Sequence, residues 1–160
     1  MSELRVGVGF DAHALADGVP LVLGGVSIDF PRGLAGHSDG DVIAHALIDA
    51  LLGAANLGDI GSLFPSGDEQ YRGASSLDLL WEAYREVRNN GFELVNADCL
   101  LVAEEPRIQD VRDEMCERLA GALCVERGRV TVRATTTDGL GFTGRGDGLA
   151  AHAVALLQRS

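Results

Sequence analysis

HSDGDVIAHALIDALLGAA, residues His37–Ala55, decides the reading of the chain. Asp39 or Asp41 can cap a helix here, because a carboxylate accepts from the backbone N–H groups that open a first turn. Val42, His45, Ala46, Asp49, Leu52 and Gly53 then follow at helical offsets, to an end near Gly53–Ala55. Upstream, Leu4–Phe10 alternates, with Leu4, Val6, Val8 and Phe10 on one side, and predicts a strand. A strand followed by an amphipathic helix points to an α/β architecture.

The rest of the chain extends that pattern. Leu21–Leu23 and Val26–Phe30 flank Gly24-Gly25 as a hairpin, and Gly33–Gly40 is a polar, Gly-rich stretch. Gly58–Gly61 and Phe64–Asp68 read as loop. Ser75–Asn89 is a helix with Leu77, Leu80, Trp81, Tyr84 and Val87 on one stripe, closed by Asn90-Gly91. Phe92–Val102 is a strand, Ile108–Leu123 a helix with Pro106 just ahead of it, and Val130–Thr136 a strand. In Gly148–Arg159, Leu149, Ala153, Leu156 and Leu157 suit a helix while Leu149, Ala151, Ala153, Ala155 and Leu157 alternate, and pattern alone favours helix. The expected whole is one domain over residues 1–160, an α/β (α+β) two-layer sandwich with helices on one face of a mixed sheet.

Composition narrows the function. The net charge is −11, from 13 basic against 24 acidic residues, and every base is Arg. Without a basic stripe, nucleic acid is not an expected partner. Apolar residues make up 46% and aromatics 5%, which suits a packed core and not a base-stacking platform. Cys99, Cys116 and Cys124 lack CxxC spacing and read as buried thiols of a reducing compartment. No signal peptide or membrane-spanning stretch is expected, and the predicted location is cytoplasmic.

The chemistry concentrates in two places. Asp11-Ala12-His13 follows the first strand, and residues two apart on an extended chain point the same way. With His45 they offer one oxygen and two nitrogen ligands, which leaves a fourth tetrahedral position open, as in catalytic zinc sites. Asp49, one turn after His45, either orients that imidazole or is a plain surface charge. The second place is Thr135-Thr136-Thr137-Asp138 with the glycine-rich run to Gly148. Its hydroxyls and backbone suit phosphate, and Asp138 suits a hard cation; a tight turn with capping threonines is the competing reading. Arg145 is either a phosphate contact or the ion-pair partner of Asp147.

Three segments, GFDAHAL (Gly9–Leu15), HSDGDVIAHALIDALLGAANLGDIGSLFP (His37–Pro65) and RATTTDGLGFTGRGDG (Arg133–Gly148), closely resemble the 2-C-methyl-D-erythritol 2,4-cyclodiphosphate synthase family. The similarity extends from the first strand to the C-terminus. It implies a mainly four-stranded mixed sheet, with the sheets of three subunits packed together in a homotrimer and the active sites between neighbouring subunits. It implies a strand after the GRGDG loop, and strand is therefore preferred over helix for the tail. By resemblance Asp11, His13 and His45 bind one Zn²⁺ per subunit, or another divalent transition metal, and Asp11 and His13 also face substrate. His37 and Ser38 contact substrate, Asp59, Ile60 and Gly61 lie by the methylerythritol portion, and Phe64, Pro65, Ser66, Gly67 and Asp68 continue that pocket. Ala103, Glu104, Glu105, Pro106, Arg107, Ile108 and Gln109 match the segment enclosing cytidine. Thr135, Thr136, Thr137 and Asp138 match the phosphate segment, where Asp138 is a candidate ligand of Mg²⁺ or Mn²⁺ arriving with the substrate. Phe142 and Arg145 complete the match, and His37 and Thr136 are the implied catalytic residues. His152 matches no ligand and is placed along the subunit contact.

The family more often has Glu at 138, Asp at 66, Lys near 107 and GRGEG where this chain has GRGDG; none of these touches the zinc ligands. The implied reaction is intramolecular attack of a 2-phosphate on the β-phosphorus of a cytidine diphosphate arm, releasing CMP. A metal-dependent phosphohydrolase and a non-catalytic nucleotide-binding trimer are the alternatives on the same residues.

Overall fold

A computed structural model describes residues 3–160. In chain order the elements are β1 (Leu4–Asp17), β2 (Leu21–Leu23), β3 (Val26–Ile28), β4 (Arg32–Leu34), α1 (Val42–Ala54), α2 (Ile60–Leu63), α3 (Ser76–Asn89), β5 (Phe92–Val102), α4 (Arg112–Leu123), β6 (Val130–Thr135), α5 (Gly141–Gly144) and β7 (Gly148–Arg159). The main sheet has the order β4-β1-β7-β5-β6. It is mixed, since β5 and β6 run parallel while β1–β7 and β5–β7 are antiparallel. The expected four strands become five because β1 runs past His13 to Asp17 and pairs Leu15–Asp17 with Arg32–Leu34.

β1 alternates as read, but its apolar side is not the core side. Leu4, Val6, Val8 and Phe10 are 60, 70, 69 and 51% exposed. The inward positions are Gly7, Gly9, Asp11 and His13, and α1 lies directly on them. A Cβ at Gly7 would sit 2.0 Å from the Ala50 carbonyl oxygen, and one at Gly9 1.8 Å from that of Ala46. The absence of a side chain lets backbone meet backbone.

β7 is a strand, as the family resemblance implied and the propensity of its residues did not. It sits between β1 and β5, where paired backbone on both sides outweighs the helical preference of Ala and Leu. Leu149, Ala151, Ala153, Ala155 and Leu157 are buried, and the alanines leave room for α1.

Several elements differ from expectation. Ile60 and Gly61, read as loop, open a helical turn, Ile60–Leu63, because Asp59 accepts from the Ser62 N–H at 2.8 Å. α4 begins at Arg112 instead of Ile108: Ile108 is buried as a loop anchor, and a turn brings Val111 N–H to its carbonyl at 3.0 Å. On α3 the buried stripe is Leu79, Leu80, Ala83, Tyr84 and Val87, whereas Trp81 is exposed with Arg85 stacked on its ring at 4.8 Å. β6 stops at Thr135. Cys99 and Cys116 are buried as expected, but Cys124 is exposed at the left-handed C-terminus of α4. Among the described residues no helix is long and apolar enough to cross a membrane.

Of the two candidate caps for α1, Asp41 fills the role. It is fully buried and accepts from Ala44 N–H at 3.1 Å, Gly24 N–H at 2.9 Å and Gly25 N–H at 2.7 Å. The carboxylate therefore ties the start of α1 to the β2–β3 turn. Burial pushes its carboxyl up to about 6, against three donors that favour the charged form. Asp41→Ala strands those N–H groups at about 1–3 kcal/mol each, so urea unfolding should show a loss of at least about 3 kcal/mol. Asp41→Asn, which keeps one acceptor oxygen, should lose clearly less; equal losses would contradict this role.

Candidate functional site

The β1–α1 contact brings the first cluster together. Asp11 and His13 lie on the inward side of β1, opposite Ala151 and Leu149 of β7. His45, on the first turn of α1, faces them. Asp11 Oδ2 is 2.8 Å from His13 Nε2 and 3.3 Å from His45 Nδ1, and the three ligand atoms lie within 4.8 Å of one another. Asp11 Oδ2 and His13 Nε2 are buried, yet neither has a partner in hydrogen-bond geometry. Buried polar atoms turned toward one point outside hydrogen-bond geometry are what a bound cation satisfies, and an oxygen with two imidazole nitrogens suits a divalent transition metal. Burial raises the Asp11 carboxyl, but the facing His13 and His45 nitrogens prevail and hold it at about 2. The same carboxylate raises His13, against burial.

Asp49 does not orient His45. Its Oδ1 accepts the Ile60 N–H at 2.7 Å and so anchors the α2 turn beside the cluster. His45 Nε2 instead meets Ser38 Oγ at 3.0 Å and Ser76 Oγ at 2.9 Å. Ser76 went unread in the sequence, where it is merely the first residue of α3, well separated from either histidine.

Over the triad opens a cavity of about 450 Å³, lined further by His37, Ser38, Ile60, Gly61 and the run Phe64, Pro65, Ser66 and Gly67. His37 Nε2 lies 2.8 Å from the Asp68 carbonyl, an acceptor only, so that nitrogen carries the proton. Asp59 and Asp68 serve the rim: Asp59 caps α2, and the Asp68 side chain binds Gln70.

The second cluster forms a separate cavity of about 400 Å³, bounded by Ala103, Glu104, Pro106, Arg107, Ile108, Gln109, Thr135 and Thr136. It shares no lining residue with the first. Ala103 N–H donates to the Thr135 carbonyl at 3.0 Å, which ties the two segments. Glu104 reaches further, accepting from Thr137 N–H and Gly139 N–H, both at 3.1 Å. Asp138 has a left-handed φ of 53°, and its Oδ1 accepts from Thr136 Oγ1 at 3.2 Å. Thr137 turns inward, donating to the Leu140 carbonyl at 2.6 Å and meeting buried Thr143. Arg145 pairs with Asp147 at 3.0 Å on the surface, and Phe142 is 40% exposed. Glu105 is exposed and does not line the cavity.

A family model described as the YgbB family matches residues 4–158. A 2-C-methyl-D-erythritol 2,4-cyclodiphosphate synthase from Moorella thermoacetica is 57% identical over 154 residues, 96% of this chain and 94% of that protein. The bifunctional IspDF from Campylobacter jejuni superposes with a TM-score of 0.96 at 44% identity, covering 100% of this chain, which spans 43% of that longer one. A CDP complex of IspF from Plasmodium falciparum superposes with a TM-score of 0.86 at 28% identity, covering 100% of this chain and 99% of that one.

If Glu104 staples the threonine loop, Glu104→Ala leaves two amides without acceptors. Hydrogen exchange at Thr137 and Gly139 should then accelerate about tenfold or more, while β5 and β6 amides keep their protection. Unchanged exchange at both would refute the staple.

Proposed function

The chain belongs to the YgbB family, and on that premise we propose that it cyclises 4-diphosphocytidyl-2-C-methyl-D-erythritol 2-phosphate to 2-C-methyl-D-erythritol 2,4-cyclodiphosphate with release of CMP. It is a cyclising phosphorus–oxygen lyase of isoprenoid-precursor synthesis, and its relatives carry that name at up to 57% identity over nearly their full length. The observation that carries the reading is the Asp11–His13–His45 cluster, with orphaned buried polar atoms, opening onto a cavity of about 450 Å³.

The substrate supplies its own nucleophile. A phosphate monoester loses its second proton at about pH 6, so the attacking group is largely ionised at neutral pH and needs no strong base from the protein. The difficulty is bringing two anionic arms together on a chain of net charge −11. Asp11, His13 and His45 would hold a zinc ion, which would supply Lewis-acid polarisation of a phosphoryl oxygen. Ser38 and His37 line the same cavity and bind the phosphate-bearing arm. Ile60, Gly61 and the Phe64–Gly67 run enclose the methylerythritol portion, with Asp59 and Asp68 fixing its rim. Ala103–Gln109 encloses the cytidine; the Plasmodium falciparum relative was solved with CDP. Thr135 and Thr136, which border the second cavity, offer hydroxyls to the diphosphate, with Thr137 fixing the loop from within; Asp138 would hold Mg²⁺ or Mn²⁺ brought with the substrate, and Thr136 with His37 stabilises the charge that develops in transfer. Asp138 is one methylene shorter than the Glu usual in the family, so an ion it held would lie closer to the backbone or be reached through a water.

The two half-sites are separate cavities in one chain, which supports a site completed by a neighbouring subunit. The exposed row Leu4, Val6, Val8 and Phe10, with Val154 beside it and His152 edge-on to Phe10 at 4.9 Å between ring centroids, supports sheet-to-sheet packing in a homotrimer. Residues 1–160 act as a single catalytic domain in the cytoplasm.

Incubation with the cytidine diphosphate substrate, followed by phosphorus NMR, tests this. CMP and a cyclic diphosphate should appear together, turnover should stop on chelation and return with zinc, and His45→Ala should lose both turnover and bound metal. A linear phosphate product, or full activity after chelation, would contradict the proposal.

A further inference from the structure

Ser76 is fully buried at the start of α3, beside a metal ligand rather than beside the cavity. Ser75, the residue in the capping position, makes no side-chain cap bond. The start of α3 is instead served from another loop: Asp39 accepts the Ser76 N–H on Oδ2 at 2.9 Å, and on Oδ1 it accepts both the Ser76 hydroxyl and the Asp41 N–H, the latter at 3.1 Å. Three donors thus converge on one carboxylate, which has nothing to donate.

We propose that Asp39 and Ser76 are positioning residues of the metal centre, fixing which nitrogen of His45 binds the ion. A serine hydroxyl has one proton. Here that proton goes to Asp39, so toward His45 Nε2, 2.9 Å away, Ser76 Oγ can only accept. Nε2 therefore carries hydrogen, and the lone pair of the neutral ring sits on Nδ1. Nδ1 is the atom 3.3 Å from Asp11 Oδ2. The chain Asp39–Ser76–His45 is a carboxylate–hydroxyl–imidazole relay that orients the ligand and raises its basicity, as outer partners of metal-binding histidines do. A second consequence concerns Ser38. Its oxygen shares the same Nε2 proton at 3.0 Å, which leaves its own O–H free to donate to an anionic oxygen in the cavity.

The inference rests on the reading that Asp11, His13 and His45 hold a divalent cation, and its test uses zinc alone, without substrate. Wild type, Ser76→Ala and Asp39→Ala would be titrated with Zn²⁺ against a chromophoric chelator, with cobalt absorption reporting ligand geometry and thermal unfolding of the metal-free proteins reporting fold. Zinc affinity should fall about 10–100-fold in each variant, and the double variant should be no weaker than about the worse single one. A purely structural serine would shift metal-free unfolding and leave affinity in the folded protein unchanged; affinity within about twofold of wild type in Ser76→Ala overturns the proposal. Should that variant not fold, nitrogen NMR of zinc-loaded wild type decides: hydrogen on His45 Nε2 with Nδ1 ligated supports it, and zinc on Nε2 overturns it. Wild type that takes up no zinc would sink the metal reading itself, whereas normal uptake and turnover with an indifferent Ser76 sinks this inference alone.

Discussion

Where α1 crosses β1, the carbonyl of Ala46 approaches the α-carbon of Gly9 so closely that a methyl group there would lie 1.8 Å from the oxygen. Gly7 meets the carbonyl of Ala50 in the same way, at 2.0 Å. That backbone contact sets the height of His45 above Asp11 and His13, which occupy the next inward positions on the same strand. Any larger residue at either glycine lifts the helix, and with it one of the three ligand atoms. Helix-on-sheet packing, normally a matter of core stability, here sets the spacing of the Asp11–His13–His45 cluster.

The rest of the first half-site is arranged around that contact by carboxylates in structural roles. Asp41 ties α1 to the β2–β3 turn, Asp39 holds the start of α3, Asp49 holds α2, and Asp59 caps it. Four acidic residues accept backbone N–H groups within one short region, so part of the negative charge of the chain builds local structure instead of repelling substrate. The second cavity is assembled on the β5–β6 parallel pair, where Glu104 ties the threonine loop, and it shares no lining residue with the first. The apolar side of β1 and β7, with Leu4, Val6, Val8, Phe10 and Val154, is left exposed by this arrangement.

What was legible in the sequence was what is decided locally. α1 followed from its cap and period, the β2–β3 hairpin from Gly24-Gly25, and the meeting of Asp11, His13 and His45 from the two-residue spacing of the first two plus a histidine on the next helix. β7 was not legible from period, because a strand of alanines and leucines is chosen by the strands beside it; resemblance supplied it. The side of β1 facing the core was also hidden, since its inward residues are glycines and polar ligands and its hydrophobic ones face outward. Ser76 and the Glu104 staple depend on contacts across 31 to 37 residues, with no mark at either end. Asp49 carried a plausible spacing and bonds elsewhere, because a nearer N–H competed for it.

Anomalous diffraction from crystals of the zinc-loaded protein tests the central claim most directly. A single strong peak should lie about 2.0–2.2 Å from Asp11 Oδ2, His13 Nε2 and His45 Nδ1, with its fourth position facing the cavity. Crystals that take up zinc elsewhere, with those three atoms left apart and no density between them, would contradict the account.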